Sequence, residues 1–84
     1  MNKQRKGIPD HIQNMIRENI EKELLANDIP FIRSENTFNL PKLYLPRLVA
    51  TQTMVIRKLI KDGVLTKEMV ENDIDNYLDE LGYE

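Results

Sequence analysis

Apolar residues recur at intervals of three and four along three stretches of this sequence, a spacing that predicts amphipathic α-helices. The first set is Ile8, Ile12, Met15, Ile16, Ile20 and Leu24. The second predicted inner face is Leu45, Leu48, Val49, Gln52, Val55, Ile56, Leu59 and Ile60. The third is Val70, Ile74, Tyr77, Leu78 and Leu81. The pattern therefore predicts helices over about residues 9–27, 46–61 and 67–81.

Residues with helix-capping preferences stand at the ends of these stretches. Asp10, followed three residues later by Gln13, is typical of a capping box at the start of helix 1. Pro46 suits the first position of helix 2, because its missing N–H would have no partner there in any case. Thr66 is a predicted N-cap of helix 3, and Gly82 is a predicted stop.

Residues 30–46 connect the first two helices and contain three prolines, which exclude a continuous helix. The segment is nevertheless too apolar for a flexible linker. Its apolar members are Phe31, Ile32, Phe38, Leu40, Leu43, Tyr44 and Leu45. We expect an ordered connection with a short hairpin around Ser34–Asn36 and a helical turn at Pro41–Tyr44. Two roles remain open for it: an interface for a partner, or a lid over the protein's own core.

The whole pattern predicts an all-α fold, a small three-helix bundle with an ordered proline-containing connection between helices 1 and 2. Residues 1–7 are basic and lack periodicity, so they are predicted to form a flexible N-terminal arm. Residues 8–84 are predicted to form a single helical domain, because 84 residues provide one hydrophobic core at most. An aliphatic core of this size leaves little volume for a catalytic cavity.

Several residue types that carry chemistry are scarce. There is no cysteine, so disulfides, thiolate metal sites and a cysteine nucleophile are excluded. His11 is the single histidine, Ser34 is the single serine, and the three glycines lie far apart. We therefore expect no enzyme activity, no cofactor, no metal and no small-molecule substrate. No apolar run is long enough for a membrane span, so we expect a cytoplasmic protein without membrane contact.

The acidic segment 73–84 has some features of a calcium-binding loop. Oxygen ligands fall at loop positions one, three, seven and twelve, as Asp73, Asp75, Asp79 and Glu84. Leu78, however, stands at position six, where such a loop needs a glycine for its sharp turn. The segment also carries the clearest helical stripe in the chain, so the favoured interpretation is a solvated helix face.

Charge is distributed unevenly, although the net charge is only −2. Residues 40–67 contain six basic residues and one acid, whereas residues 68–84 contain seven acids and no base. The stretch from Leu59 to Met69 joins these two regions. A DNA-reading helix-turn-helix would place the acidic third helix against phosphates, which would repel it. We therefore interpret Asp62-Gly63 as a bend between two helices.

The basic side of helix 2 is the remaining surface with a functional pattern. Arg47, Thr51, Met54, Lys58 and Lys61 follow helical spacing, with Arg57 alongside. This side either binds an acidic protein, binds a nucleic-acid backbone, or lies beside acidic helix 3 in weak surface ion pairs. The candidate partner-binding residues are Phe31, Phe38, Tyr44, Arg47, Arg57, Lys58 and Lys61.

These features predict a non-enzymatic interaction or regulatory module that binds a larger protein or self-associates. The alternative is a nucleic-acid-binding protein that uses helix 2 together with Lys3, Arg5 and Lys6 of the arm. Isoleucine, asparagine and lysine are abundant and alanine is rare. This bias is compatible with a small regulator or virion accessory protein encoded by a phage or mobile element.

Overall fold

A computed structural model describes residues 5–34 and 37–82 of the chain. The described residues form three α-helices and one small antiparallel sheet of two strands. The elements are α1 (Asp10–Ala26), β1 (Ile32–Arg33), β2 (Phe38–Asn39), α2 (Leu45–Lys61) and α3 (Lys67–Glu80), with a 3-10 turn at Lys42–Tyr44 before α2. The fold is mainly helical, and the three helices predicted from hydrophobic periodicity are present.

The hydrophobic core lies mainly between α1 and α2. Leu24 and Leu65 are its most buried side chains, with exposed fractions of 0% and 1%. The buried apolar residues are Ile12, Ile20, Leu24, Ile29, Leu48, Val55, Leu59 and Leu65. Most of them come from the two helices, and Leu65 adds a buried side chain from the turn that follows α2.

The buried face of α2 differs from the predicted one. Leu45 and Val49 were predicted to face inward but are exposed, whereas Thr51 was predicted to be exposed and is buried. The Thr51 hydroxyl donates a hydrogen bond to the Arg47 carbonyl oxygen at 2.8 Å. A threonine that bonds back to its own helix can bury its methyl group without leaving a polar atom unpaired. The polar residue therefore packs in the core.

The two ends of α1 use backbone atoms for capping. The predicted capping box is wrong, because Pro9 is the N-cap residue and no side chain caps this end. Gln13 instead donates its side-chain amide to the Ile8 carbonyl oxygen at 3.0 Å. At the other end, Asp28 N–H donates to Leu25 and Ile29 N–H donates to Leu24, as in a Schellman motif.

The connection between α1 and α2 contains a short hairpin, followed by the 3-10 turn. β1 pairs with β2 so that Ile32 lies opposite Asn39 and Arg33 opposite Phe38. Two residues of the predicted turn, 35 and 36, lie outside the described residues. Arg33 forms an ion pair with Glu21 of α1 at 3.2 Å, which links the hairpin to that helix.

The bend between α2 and α3 has the local geometry predicted for it. Gly63 has φ of +79°, a left-handed conformation that glycine adopts without strain. Gly63 N–H donates to Ile60 and Val64 N–H donates to Leu59, which completes a Schellman motif. Thr66 Oγ1 then accepts a hydrogen bond from Met69 N–H at 3.1 Å and caps α3.

The position of α3 differs from that in the predicted bundle. Met69 and Val70 are half-buried against the core, but no described residue of α3 is fully buried. The radius of gyration is 14.0 Å, whereas a compact chain of this length would have about 12 Å. The rest of α3 therefore lies outside the core formed by α1 and α2.

Candidate interaction surfaces

One side of α3 presents an apolar stripe to solvent. We define the apolar stripe as Ile74, Tyr77, Leu78 and Leu81, whose exposed fractions are 53%, 60%, 39% and 54%. Their spacing is i, i+3, i+4 and i+7, so the four side chains lie on one face of the helix. A soluble helix normally turns such a face toward a core, and here the chain's own core does not cover it.

Another side of α3 holds the end of the N-terminal arm. Arg5 N–H donates to Asn76 Oδ1 at 2.8 Å, and the Asn76 side-chain amide donates to the Arg5 carbonyl oxygen at 2.8 Å. Asn72 donates to the Lys6 carbonyl oxygen at 3.0 Å. Asp73 accepts a hydrogen bond from Ile8 N–H at 3.2 Å. Main-chain groups of the arm are therefore bound by side chains of α3.

The side chain of Arg5 adds an ionic contact to this arrangement. Its guanidinium lies 3.1 Å from an Asp79 carboxylate oxygen and 4.0 Å from one of Asp75. These groups are largely exposed to solvent, and ion pairs of this kind contribute about 0–1 kcal/mol. We call Asn72, Asp73, Asn76 and Asp79 the polar ladder, and residues 5–8 the arm segment.

Gly7 allows the arm segment to approach the polar ladder closely. A Cβ atom at this position would overlap Asp73 Oδ1, which is part of the same interaction. Any other residue at position 7 would therefore displace either the arm or the Asp73 side chain. The arm was predicted to be flexible over residues 1–7; residues 1–4 lie outside the described residues.

The basic side of α2 is exposed at five of its six predicted positions. Arg47, Met54, Arg57, Lys58 and Lys61 are exposed, and Thr51 is buried. Arg47 donates to Asn27 Oδ1 at 3.1 Å. Arg5 forms ion pairs with Asp75 and Asp79, and Arg33 forms one with Glu21.

The three aromatic residues proposed for partner binding are half-buried. Phe31, Phe38 and Tyr44 all pack against the core cluster. The rings of Phe31 and Phe38 meet edge to face, with centroids 5.7 Å apart and an interplanar angle of 67°. These contacts favour the lid over the interface among the two roles that the sequence leaves open. Beside them, residues 30–32 and 39–41 line an open apolar depression of about 370 Å³.

The acidic residues of α3 do not form a calcium loop. Asp73, Asp75 and Asp79 lie on a continuous helix that extends to Glu80, whereas a calcium loop must turn sharply at its sixth position. Glu84 lies outside the described residues. Elsewhere in the described part of the chain, no three histidine, aspartate or glutamate residues are grouped to hold a metal ion.

Among the described residues, none of the helices combines the length and the apolar composition needed to cross a lipid bilayer.

Comparisons of the chain with protein-family models, curated proteins and solved structures find no match. The apolar stripe, the polar ladder and the basic side of α2 are the three candidates.

Sequence reasoning missed the polar ladder. The signal was present as Asn72 and Asn76, two asparagines separated by one helical turn. Side-chain amides so spaced can each donate to and accept from the main chain of an extended segment.

Proposed function

We propose that this chain is a non-enzymatic interaction module that docks the apolar stripe of α3 into a groove on a larger protein. The observation that carries the proposal is the exposure of Ile74, Tyr77, Leu78 and Leu81 together. Burying such side chains is favourable by about 25 cal/mol per Å² of apolar surface. A contiguous exposed apolar face on a small protein is typical of a partner site.

The spacing of the stripe supports a groove as the partner surface. Helices that bind in hydrophobic grooves use anchors at i, i+3, i+4 and i+7, which is the spacing from Ile74 to Leu81. Tyrosine is enriched at such interfaces, because its ring buries apolar area while its hydroxyl reaches a polar partner. The acids on the remaining surface of α3 would lie at the rim, in contact with water.

A larger partner is favoured over simple pairing of two α3 helices. A stable interface of standard size involves about 20–30 residues on each side. A pair of α3 helices would contribute only the four side chains of the stripe from each copy, which is far fewer residues. A larger partner that surrounds the helix would contact more of its surface. Self-association through the stripe would therefore be weak, and a concave partner surface would bury more of each side chain.

Site-specific photocrosslinking tests this proposal. A photoreactive phenylalanine analogue replaces Tyr77 in the full chain, which is expressed in the cells that encode it. The matched control carries the analogue at Leu25, an exposed residue of α1 with an exposed fraction of 61%. We expect a defined crosslinked protein from position 77 and not from position 25. Identical products from both positions would contradict the proposal.

The captured protein then allows a quantitative test. We expect Ile74→Glu to weaken binding of the purified partner at least tenfold in calorimetry, because it places a charge in the buried centre of the interface. Leu25→Glu should leave the affinity unchanged. Sedimentation over a wide concentration range measures self-association separately, and a strong dimer that Ile74→Glu dissociates would replace the larger partner with a second copy.

Nucleic-acid binding is the second candidate, supported by the exposure of Arg47, Arg57, Lys58 and Lys61 on the basic side of α2. If the basic side of α2 binds phosphates, the affinity of the chain for labelled DNA or RNA falls steeply as the salt concentration increases. We expect Lys58→Glu with Lys61→Glu to abolish such binding, whereas Lys42→Glu in the connection serves as the control. Absence of binding at low salt would exclude this candidate.

A further inference from the structure

We propose that the polar ladder of α3 is a binding site for an extended peptide segment of the form Arg-Xaa-Gly-apolar. The chain's own arm segment, Arg5 to Ile8, occupies this site as an intramolecular ligand. The inference goes beyond the proposed function, because the ladder and the apolar stripe are different faces of α3. Each can be tested without the other.

The ladder recognises the main chain of its ligand. Asn76 bonds both the N–H and the C=O of Arg5, and Asn72 bonds the C=O of Lys6. Asp73 accepts the N–H of Ile8. The ligand runs opposite to α3, because its first residue lies near Asn76 and its last lies near Asp73. Such bonds require an extended backbone, and they can form with many different side chains.

Two positions of the ligand give the site its selectivity. At the first position, the Asp79 carboxylate binds the guanidinium of Arg5 at 3.1 Å. At the third position, a Cβ atom would overlap the Asp73 carboxylate, so glycine is favoured because any other residue must displace the group that binds Ile8 N–H. The second residue, Lys6, is exposed and is bound through its carbonyl oxygen, which leaves its side-chain type open. The fourth residue, Ile8, packs its side chain against the core cluster.

The arm segment competes with any ligand from another molecule. A short tether holds the arm at an effective concentration in the millimolar range. A partner with the same chemistry would bind by displacing the arm, and a simple peptide would bind detectably only after the arm has been displaced. A variant of the full chain that displaces its own arm therefore exposes the site for measurement.

The experiment uses the full chain carrying Gly7→Val and a peptide with the sequence of residues 5–10. The peptide, Arg-Lys-Gly-Ile-Pro-Asp, is acetylated and amidated so that Arg5 keeps its amide N–H. Nitrogen-15 NMR follows the side-chain amides of Asn72 and Asn76. We expect these signals to move away from their wild-type positions in Gly7→Val, and to return saturably as peptide is added.

Three comparisons decide the outcome. The same peptide with valine in place of glycine should bind at least tenfold more weakly, and Asn76→Ala in the Gly7→Val chain should weaken binding by a similar factor. Wild-type chain should show little binding at the same peptide concentration. Any of three results would overturn the proposal: NMR shifts that do not saturate, equal affinity for the two peptides, or a peptide affinity that Asn76→Ala leaves unchanged.

A second variant keeps the test valid if Gly7→Val disturbs the fold. Arg5→Glu places a carboxylate opposite Asp79 and is expected to displace the arm by repulsion, with glycine retained at position 7. The dispersed signals of core residues in α1 and α2 report folding in both variants. We expect the peptide to restore the Asn76 signal in Arg5→Glu as well, and failure in a folded Arg5→Glu chain would also overturn the proposal.

Discussion

At the residue scale, Asp28 and Gly63 terminate α1 and α2 in the same way. Each residue follows the C-cap in a Schellman motif and has a positive φ, 55° for Asp28 and 79° for Gly63. Among the described residues, Asp28 is the only one other than glycine in this region. The residue that follows it, Ile29, is buried close to Leu24, which fixes the turn through a hydrophobic contact.

Replacing Asp28 with glycine should stabilise the protein. Glycine enters the left-handed region without the steric cost that a Cβ atom imposes, although it loses more backbone entropy on folding. We expect the free energy of unfolding to rise by about 0.5–1 kcal/mol, as measured by urea denaturation. A lower free energy of unfolding would mean that interactions of the Asp28 side chain stabilise the fold by more than its left-handed backbone conformation destabilises it.

The opposite change at Gly63 should destabilise the protein. Apart from Gly63 and its two chain neighbours, no residue lies within 4 Å of a Cβ placed at Gly63, so Gly63→Ala adds a backbone cost without a steric clash. We expect a loss of about 1–2 kcal/mol in the free energy of unfolding. Denaturation of Gly63→Ala and Asp28→Gly side by side measures the preference of glycine for the left-handed conformation, once by removing glycine and once by introducing it. An unchanged free energy of unfolding in Gly63→Ala would contradict the left-handed conformation at position 63.

At the element scale, α3 has the same apolar periodicity as α1, but its surroundings are different. The stripe of α3 is exposed from Ile74 onward, whereas Leu65, just before the helix, is almost fully buried. The start of α3 is therefore part of the core, and its later turns are not. Side-chain truncations should separate these two parts clearly.

Truncating Leu65 and Ile74 to alanine should give very different results. Leu65→Ala removes buried side-chain volume and should cost about 2–5 kcal/mol in the free energy of unfolding. Ile74→Ala changes an exposed side chain and should alter stability by less than about 0.5 kcal/mol. Chemical denaturation measures both. A large cost for Ile74→Ala would indicate that the stripe is covered in solution.

Sequence patterns predicted the helices well, because periodicity and capping are local properties. The bend at Gly63 and the cap at Thr66 were confirmed, since each depends on neighbouring residues only. What covers a helix depends on distant residues, so the exposure of Ile74 and its neighbours did not follow from spacing. The buried face of α2 was misplaced for a related reason: its apolar arc is wide, and Thr51 can satisfy its hydroxyl within its own helix.

At the scale of the whole molecule, α3 is held at two places. Met69 and Val70 anchor its first turns to the core, and Asn72 and Asn76 bind it to the arm segment. These contacts bury little apolar surface compared with those between α1 and α2. Regions with few buried contacts open locally at a lower free energy than the core does. We therefore expect a hierarchy of stability within this one small protein.

Hydrogen exchange should reveal this hierarchy. Backbone amides of α3 should exchange faster than those around Ile20 and Val55 in the core. Replacing Asn72 and Asn76 together with alanine should accelerate exchange in α3 further and leave the core amides unchanged, because both side chains bond the main chain of the arm segment and neither belongs to the core cluster. Equal acceleration throughout the molecule would show that the arm stabilises the fold as a whole.

The exposed ring of Tyr77 gives this protein a built-in optical reporter. The chain has no tryptophan, so its ultraviolet emission comes from three tyrosines. Tyr44 is partly shielded, and Tyr77 is 60% exposed within the stripe. Contact at the stripe would change the quenching of Tyr77 by iodide or acrylamide, and replacing Tyr44 and Tyr83 with phenylalanine isolates that signal. Engagement of α3 can thus be followed by intrinsic fluorescence, with no dye attached.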